Sequence, residues 1–295
     1  MSPRDPCPVS DGVAAVILAM NAVDTLPLVV AAVEAQTVVP DMIVVVDNGS
    51  TDGTPDWVAA HPRVRGVFLE RNVGVGAGHN HGWTFAQQQD PQLRYIWALE
   101  HDTIPDPGCL ERLLLTVADT EASGGRVGAV VPKQHLPDEA VSESPRPPYA
   151  HWEFSFNGTL FPVRALTAVG PIREDFFVGH EDRELALRLR NAGFVIIKDH
   201  AARVVHRNKR ARYRGRPSVL RGYYSNRNEA YLMVHVRRER LGRLRVIGRT
   251  IGGVGRALLR EQPRGARAHA RVRATLDGLR GNLGEKHYSF LESPR

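Results

Sequence analysis

The stretch Tyr95-Ile96-Trp97-Ala98-Leu99-Glu100-His101-Asp102 decides the fold class of this chain, because an apolar run ends there in two acids that flank a histidine. A strand of a parallel sheet is buried on both faces and therefore reads as a continuous apolar run. Ligands of such sheets gather beyond the carboxyl ends of the strands, where Glu100 and Asp102 would lie. Neighbouring carboxylates repel each other unless a cation or hydrogen-bond donors satisfy them, so the pair predicts a divalent metal. The alternative is that both acids are solvated residues before the turn Pro105-Asp106-Pro107.

Strands and helices alternate on both sides of this stretch. Apolar runs predict further strands at 13–20, 42–47, 64–69 and 127–131. Mixed or amphipathic segments predict helices at 26–36, around 57–58, at 79–89 and at 110–120. This order is typical of an α/β fold, a parallel sheet with helices on both faces. The segment 132–148 is rich in proline and acids and is predicted to be a long loop beside the cleft.

Length and cysteine content restrict the class of protein. With 295 residues the chain can hold one large domain and an appendage, which we divide into an extension (1–12), a main domain (13–235) and a basic helical region (236–295). Cys7 and Cys109 are far apart, so neither a disulfide framework nor a structural zinc site is expected. The sequence has no apolar run of ~18 residues and no signal-peptide pattern, which predicts a cytoplasmic protein that does not span a membrane.

The net charge of +7 is concentrated near the end of the chain. Between 236 and 281, thirteen arginines stand against Glu239, Glu261 and Asp277. Apolar residues recur there at helical spacing, namely Leu244, Ile247, Ile251, Val254 and Leu258. This pattern favours a helix that lies on an anionic membrane surface. The alternative is a helix that packs its apolar stripe on the main domain. Nucleic acid is not expected as a partner, because no aromatic residues alternate with the arginines.

Two segments after other predicted strands suit a nucleotide. Asp47 ends the second strand, where a carboxylate can accept the ring N–H of a uracil or thymine; the alternative is a cap on the following turn. The glycine-rich segment from Asn72 to Asn80 would let backbone approach a diphosphate or sugar, or it is a plain flexible turn. It follows the third strand and not the first, which argues against a dinucleotide site.

The second half of the chain supplies candidates for catalysis. Glu181 and Asp182 precede a predicted helix at 183–192, where acids stabilise the helix dipole or, alternatively, one of them takes a proton from an acceptor hydroxyl. His206 follows a predicted strand at 202–205 and is either a surface histidine or a metal ligand.

Several segments occur along residues 13–235 in the order that is typical of one protein family. They are Val44–Thr54, Asn72–Gly82, Glu100-His101-Asp102, Phe156–Phe161, His180-Glu181-Asp182 with Leu187-Arg188, His206, and Tyr223-Tyr224 with Arg227-Asn228. In this set the chain resembles the family 2 inverting glycosyltransferases of GT-A fold, especially the rhamnosyltransferase and galactofuranosyltransferase branch. The resemblance implies a GT-A fold and a nucleotide-diphosphate sugar as donor.

The resemblance also implies a role for individual residues. Asp182 would be the general base, with Glu181 beside it, and Asp102, His206 and Glu100 would hold a divalent cation, Mn²⁺ or Mg²⁺. A mixed carboxylate and imidazole site favours manganese. The donor would be bound by Asp47, Asn48, Asn72, Gly74, Gly78, Asn80, Glu100 and His101. The acceptor would be bordered by Trp152, Asn157, Gly158 and His180. The indole of Trp152 suits the apolar face of a pyranose; the alternative is that Trp152 is a core residue. Glu100 stands where aspartate is more frequent, so its longer side chain could instead reach a ribose hydroxyl.

The predicted activity is metal-dependent transfer of a rhamnose-, galactofuranose- or hexose-like sugar to a saccharide or lipid-linked acceptor, in cell-wall or surface polysaccharide synthesis. Asp182 would deprotonate the acceptor hydroxyl, which attacks the anomeric carbon from the opposite face and inverts it. Two other classes stay open: a sugar nucleotidyltransferase and a catalytically inactive sugar-binding scaffold. We expect the protein in the cytoplasm, at the inner face of the plasma membrane, and a homodimer is left open.

Overall fold

A computed structural model of the chain describes residues 12–136, 147–207, 218–238, 240–261, 263–288 and 291. By its internal contacts the chain divides into two compact units. The first comprises Met1–Val73, Ala77–Ile172 and Leu185–Arg210. The second comprises Gly74–Gly76, Arg173–Glu184 and Ala211–Arg295. The domain boundaries drawn from the sequence, after residues 12 and 235, stay predictions.

The first unit contains a mixed sheet, which has nine strands in the part of the chain that the structure describes. The strands are β1 (Val13–Ala19), β2 (Met42–Asp47), β3 (Val64–Phe68), β4 (Tyr95–Glu100), β5 (Thr103–Pro105), β6 (Val127–His135), β7 (Tyr149–His151), β8 (Thr159–Pro162) and β9 (Val195–His206). Their order is β3-β2-β1-β4-β8-β6-β9-β5, and β7 pairs with β9 outside this path. The predicted α/β class with a central sheet is confirmed.

The direction of the strands changes across the sheet. β3, β2, β1 and β4 are parallel, as are β6 and β9. β8 is antiparallel to both β4 and β6, and β5 and β7 are antiparallel to β9. The sequence did not predict β5, β7 and β8, because runs of three or four residues carry no periodicity to recognise. β6 extends to His135, so the loop predicted from residue 132 begins later, and its residues 137–146 lie outside the described part of the chain.

Register brings the carboxylates of the central strands to one edge of the sheet. β1 is buried throughout, and Val16 in its middle pairs with Val44 of β2 and with Ala98 of β4. In the same register Asp47 pairs with Ala19, and Glu100 pairs with Leu18. Because parallel strands end on the same side, these two acids leave the core together.

Helices cover both faces of this sheet, as predicted. They are α1 (Leu26–Glu34), α2 (Thr54–Ala60), α3 (Val75–Gln89), α4 (Cys109–Ala122), α5 (Val163–Val169) and α6 (Glu181–Asn191). Leu26 of α1 and Leu110 of α4 belong to one buried cluster with Ile17 of β1. On the other face α3 approaches Val16 so closely that only glycine fits at position 82.

The second unit contains three longer helices, α7 (Val219–Tyr231), α8 (Gly242–Arg260) and α9 (Arg264–Arg280). A π-helical turn, Leu232–Val236, continues α7. Tyr223 and Tyr224 of α7 pack on Ala270 and Ala274 of α9, and Gly278 lets α9 come close to the backbone of α7. None of the described helices combines the length and the apolar character that crossing a bilayer requires.

The predicted amphipathic helix of the basic region is α8, and most of its apolar stripe is open to solvent. Leu244 and Ile251 are each 67% exposed, and Ile247 and Leu258 are also exposed. These four side chains are therefore not packed within the second unit, and both interpretations of the stripe, a membrane surface or the main domain, stay predictions. Val246, Thr250 and Ala257, on another side of the helix, carry the packing instead.

Candidate active site

Three side chains of the first unit form a compact group of potential metal ligands. Glu100 ends β4, Asp102 follows it, and His206 ends β9. One ligand atom from each lies within 4.8 Å of the other two. Asp102 is fully buried and His206 nearly so, and Nε2 of His206 is 3.2 Å from Oδ2 of Asp102. The sequence predicted all three residues for this role.

The short strand β5 explains how residues so distant in sequence meet. In its antiparallel pairing with β9, Thr103 lies opposite His206. The backbone N–H of Arg207 donates to the carbonyl oxygen of Asp102 at 3.0 Å, and the N–H of His101 donates to the carbonyl of Leu18 at 3.0 Å. Backbone hydrogen bonds on both sides therefore hold the segment 100–102.

The donor set of Glu100, Asp102 and His206 fits a divalent cation. Ligand distances of ~2.0–2.6 Å place the ligands of one shared ion no more than ~5 Å apart. Two carboxylates brought this close, one of them fully buried, need compensating positive charge. Two carboxylates with one imidazole suit manganese and other first-row ions better than they suit calcium, which prefers oxygen ligands alone.

Asp47 carries a buried carboxylate oxygen that no described residue satisfies. The residue ends β2 and is 3% exposed. Its Oδ2 accepts a long hydrogen bond of 3.4 Å from the backbone N–H of Ser50, whereas Oδ1 has no partner within the described chain. A buried acceptor without a partner is costly, so Oδ1 can take a hydrogen-bond donor that the described chain does not supply. The predicted contact with a nucleobase stays a prediction.

Asn48 and Asn72, both predicted to bind the donor, contact each other. The Asn48 side chain donates to Oδ1 of Asn72 at 3.2 Å and accepts from the backbone N–H of Val73 at 2.9 Å. The two amides thus fix the chain where it leaves the third strand. Direct donor contacts from either residue stay a prediction.

The glycine-rich segment is mostly helix, which corrects the predicted loop at 72–80. Helix α3 begins at Val75 and not at residue 79. A Cβ on Gly78 would lie 2.5 Å from Cδ1 of Leu18, so this glycine serves close packing of α3 on β1. Gly74 has a φ of +91°, and a Cβ there would lie 2.3 Å from the carbonyl oxygen of Phe177. Packing and backbone conformation account for these glycines without a ligand.

Two polar residues of α3 are buried. The side chain of Asn80 donates to the carbonyl of Ile172 at 2.8 Å and accepts from its N–H at 2.9 Å, which ties down that segment. His79 is completely buried against the ring of Phe156, and burial lowers its pKa to about 3. Nothing in the sequence pattern had distinguished His79. A donor role for Asn80 stays a prediction.

Three of the residues predicted to border the acceptor lie in the first unit. Oδ1 of Asn157 accepts from the hydroxyl of Thr103 at 2.7 Å, and the N–H of Gly158 donates to Ala98 at 2.8 Å. Gly158 is therefore bonded to β4, which carries Glu100, and Asn157 to β5, which begins directly after Asp102. Trp152 is 69% exposed and stacks under the guanidinium of Arg190, so the alternative of a core tryptophan is wrong.

His180, Glu181 and Asp182 belong to the second unit and open α6. The backbone that leads into α6 is unusual, because Phe177 and His180 have φ values of 60° and 71°. Glu181 is buried, and Asp182 is half-buried with Oδ1 accepting from the N–H of Arg183 at 2.7 Å. Nε2 of His180 is 3.2 Å from the hydroxyl of Ser225.

A buried pair on α7 holds this unusual backbone. Arg227 is fully buried and donates to the carbonyls of Asp175 and Phe176, both at 3.0 Å, and burial lowers the pKa of its guanidinium. Asn228 donates to the carbonyls of Phe176, at 2.9 Å, and Gly179, at 2.7 Å. The sequence had marked Arg227 and Asn228 only as part of a motif, and the structure explains them as supports of the segment before Asp182.

Parts of the chain are similar in sequence to known proteins. Residues 14–158 match the family model described as Glycosyl transferase family 2. The succinoglycan biosynthesis protein ExoO of Rhizobium meliloti (strain 1021) is 35% identical over 114 residues, which are 38% of this chain and 30% of that protein. The chain thus spans less than a third of that relative. An N-acetylglucosaminyl-diphospho-decaprenol L-rhamnosyltransferase of Mycobacterium tuberculosis (strain CDC 1551 / Oshkosh) is 25% identical over 228 residues, 63% of this chain and 73% of that protein.

A solved structure extends the likeness to almost the whole chain. The mannosyltransferase PcManGT from Pyrobaculum calidifontis, in complex with GDP-Man and Mn²⁺, superposes with a TM-score of 0.60. The match covers 94% of this chain and 91% of that one, at 17% sequence identity. The predicted GT-A fold is confirmed by this likeness.

Proposed function

We propose that this chain, whose residues 14–158 match the family model of glycosyl transferase family 2, is a member of that family and transfers one sugar from a nucleotide-diphosphate donor to a saccharide or lipid-linked acceptor, with inversion. The names of its two relatives, a succinoglycan biosynthesis protein and a rhamnosyltransferase acting on a diphospho-decaprenol, support a role in cell-wall or surface polysaccharide synthesis. The transferred group is proposed to be a rhamnose-, galactofuranose- or hexose-like sugar.

The single observation that carries this proposal is the group of Glu100, Asp102 and His206 at the carboxyl ends of the strands. We assign these residues to a divalent cation, Mn²⁺ before Mg²⁺. Such a cation, when bound, supplies the positive charge that stabilises a departing nucleoside diphosphate. The GDP-Man and Mn²⁺ complex of the structural neighbour supports this assignment.

The donor nucleobase is assigned to Asp47. Its unsatisfied Oδ1 would accept an N–H from the base, which gives the buried carboxylate the partner that it lacks within the described chain. Asn48 and Asn72 would keep the adjoining backbone in place beside the donor. We keep His101, Gly74, Gly78 and Asn80 as residues that shape this site through backbone and packing.

The proposed general base is Asp182. It would take the proton of the acceptor hydroxyl while that oxygen attacks the anomeric carbon from the face opposite the leaving group. The backbone strain at Phe177 and His180 supports a functional loop, because non-glycine residues in this conformation cost ~1–3 kcal/mol each and persist where structure enforces them. Arg227 and Asn228 provide that enforcement. Glu181 is the neighbouring acid that would tune the base.

The acceptor and the location are assigned more coarsely. Trp152 presents an exposed indole, the surface on which a pyranose ring stacks, and Asn157, Gly158 and His180 are the other proposed acceptor residues. The exposed apolar stripe of α8 supports attachment to an anionic membrane surface, which we place at the cytoplasmic side of the plasma membrane.

Calorimetric titration with UDP, dTDP and GDP, each with and without Mn²⁺, tests this function. We expect one nucleotide series to bind only with Mn²⁺, and both Asp102→Asn and Glu100→Gln to weaken that binding about tenfold or more. Asp56→Asn, an exposed acid on α2, is the matched control and should bind as the wild type does. Melting curves of all variants check that they are folded.

Product analysis completes the test. Transfer releases a nucleoside diphosphate, whereas a nucleotidyltransferase would release pyrophosphate. If no nucleotide binds to the folded protein with Mn²⁺ present, or if the variants at positions 100 and 102 bind it like the control, the assignment of the site is refuted.

A further inference from the structure

The second unit contains a cavity whose charge the proposed transfer reaction does not use. Helices α7, α8 and α9 enclose about 360 Å³, within the ~300–1,000 Å³ typical of small-ligand sites. Arg249 and Arg256 of α8 and Arg271 of α9 line it. Among the described residues of this lining, Glu229 is the one carboxylate. The cavity therefore carries an excess of positive charge.

A second, smaller cavity of about 210 Å³ adjoins the first and shares Glu229, Met233 and Arg249 with it. Three more arginines line this space, namely Arg183, Arg237 and Arg245. Among the described residues, six arginines and one glutamate line the two cavities together, and Glu261, outside this lining, pairs with Arg271. Clusters of arginines of this kind favour a multiply charged anion.

Contacts within the unit hold part of this cluster in place. Nη1 of Arg249 lies 2.5 Å from Oε1 of Glu229, and the Arg249 side chain is still 63% exposed. Arg271 donates to the carbonyl of Gly253 at 2.7 Å and to Glu261 at 3.0 Å, which fixes the plane of its guanidinium. A guanidinium presents several N–H donors in a planar fork, so such contacts leave further donors to bind phosphate oxygens.

Arg249 and Arg256, the two arginines of α8 that line the first cavity, lie on the side of the helix nearly opposite Ile251. Successive residues of a helix are ~100° apart, which puts Gly252 and Leu259 between the side with Arg249 and Arg256 and the side with Ile251. Leu259 is 76% exposed and Ile251 67%. Leu259 therefore brings exposed apolar surface of α8 to the edge of the arginine-lined cavity, an arrangement that matches a lipid with a phosphorylated head.

We propose that this cavity binds the phosphate or diphosphate group of a lipid, while the apolar stripe of α8 contacts the acyl or prenyl part. The inference rests on the proposed function, because it takes the lipid-linked acceptor of that function to carry a phosphate or diphosphate group. Its ligand is bound by Arg249, Arg256 and Arg271, none of which is assigned to the cation.

Titration of the full chain with inorganic pyrophosphate in EDTA tests the cavity, because a cation-dependent donor site takes up no probe under these conditions. The double variant Arg249→Gln/Arg256→Gln should bind pyrophosphate at least about tenfold more weakly than the wild type. Arg243→Gln removes an exposed arginine of the same helix that lines neither cavity, and it should stay within about twofold of the wild type. Absence of binding by the wild type, or equal binding by both variants, overturns the proposal.

Sedimentation with vesicles distinguishes a lipid from a free phosphate as the source. Phosphatidylcholine vesicles containing phosphatidic acid should retain the protein better than vesicles matched in charge with phosphatidylserine, and pyrophosphate should release it. Equal retention on both, unaffected by pyrophosphate, refutes the lipid source.

Binding of nucleotide with Mn²⁺, measured on the same double variant, separates this proposal from the proposed function. Wild-type protein that binds nucleotide but no pyrophosphate would refute the cavity assignment alone. Pyrophosphate binding that depends on the two arginines, in a protein that binds no nucleotide, would refute the proposed function alone.

Discussion

Replacing His79 with leucine is expected to make the protein less sensitive to mild acid. The imidazole is completely buried on α3, its ring centroid 4.4 Å from that of Phe156 and 5.8 Å from that of Trp83. Neither ring nitrogen has a hydrogen-bond partner among the residues described. Burial therefore disfavours the charged form and lowers the pKa from 6.5 to about 3.

The size of the effect follows from this pKa. Between about pH 6.5 and pH 3 the unfolded chain binds a proton at His79 and the folded chain does not. The free energy of unfolding therefore falls as the pH falls through this window, by ~1.4 kcal/mol for each pH unit. From pH 7 to pH 5 the contribution of this histidine amounts to about 2 kcal/mol. His79→Leu removes it, whatever the substitution costs in packing.

Urea unfolding of both proteins at pH 7 and at pH 5 measures the difference. The wild type should lose about 2 kcal/mol more than His79→Leu between the two pH values, and other titrating groups cancel in the comparison. His81→Gln, an exposed position on the same helix, should follow the wild type. If the wild type and His79→Leu lose the same free energy, the argument from burial is refuted.

Three further predictions concern packing, catalysis and the basic region. Gly82→Ala should lower the free energy of unfolding by about 1–3 kcal/mol, since the new Cβ would lie 2.5 Å from a valine of β1; Gly255→Ala, with open space around it on α8, should instead be neutral or stabilising in the same urea titration. Asp182→Asn should abolish sugar transfer, measured as the release of nucleoside diphosphate, while Mn²⁺-dependent nucleotide binding is kept; normal turnover would exclude this residue as the base. Ile251→Gln should reduce sedimentation with anionic vesicles, since the substitution removes exposed apolar area from the stripe, and unchanged sedimentation would separate the stripe from the membrane.

Much of the first unit could be predicted from local patterns. The buried strands β1, β2 and β4 are continuous apolar runs, and the acids that end two of them are adjacent to those runs in sequence. Such features depend on residues a few positions apart, so a single sequence carries them. The same holds for α8, whose apolar spacing predicted both the helix and its stripe.

The glycine-rich segment shows where local reasoning failed. Glycines predicted a loop from 72 to 80, but α3 begins at Val75, and Gly78 and Gly82 face strands against which any larger side chain would collide. Glycine permits turns and also permits close approach of backbones, and only the neighbouring element decides between the two. Leu18 and Val16, through which the strand β1 contacts both glycines, lie at least 60 residues before them in sequence (78 − 18 = 60).

By itself the sequence determined which residues are chemically able to form the site and which strands end in carboxylates. It also indicated a basic amphipathic helix near the end of the chain. Only the tertiary structure decided that His206 lies 3.2 Å from Asp102, because this contact depends on the three-residue strand β5 pairing with β9. Likewise, the burial of His79 and the arginine-lined cavity arise from packing between separate elements. Side-chain chemistry and periodicity are local properties, whereas proximity, burial and charge density depend on contacts between distant parts of the chain.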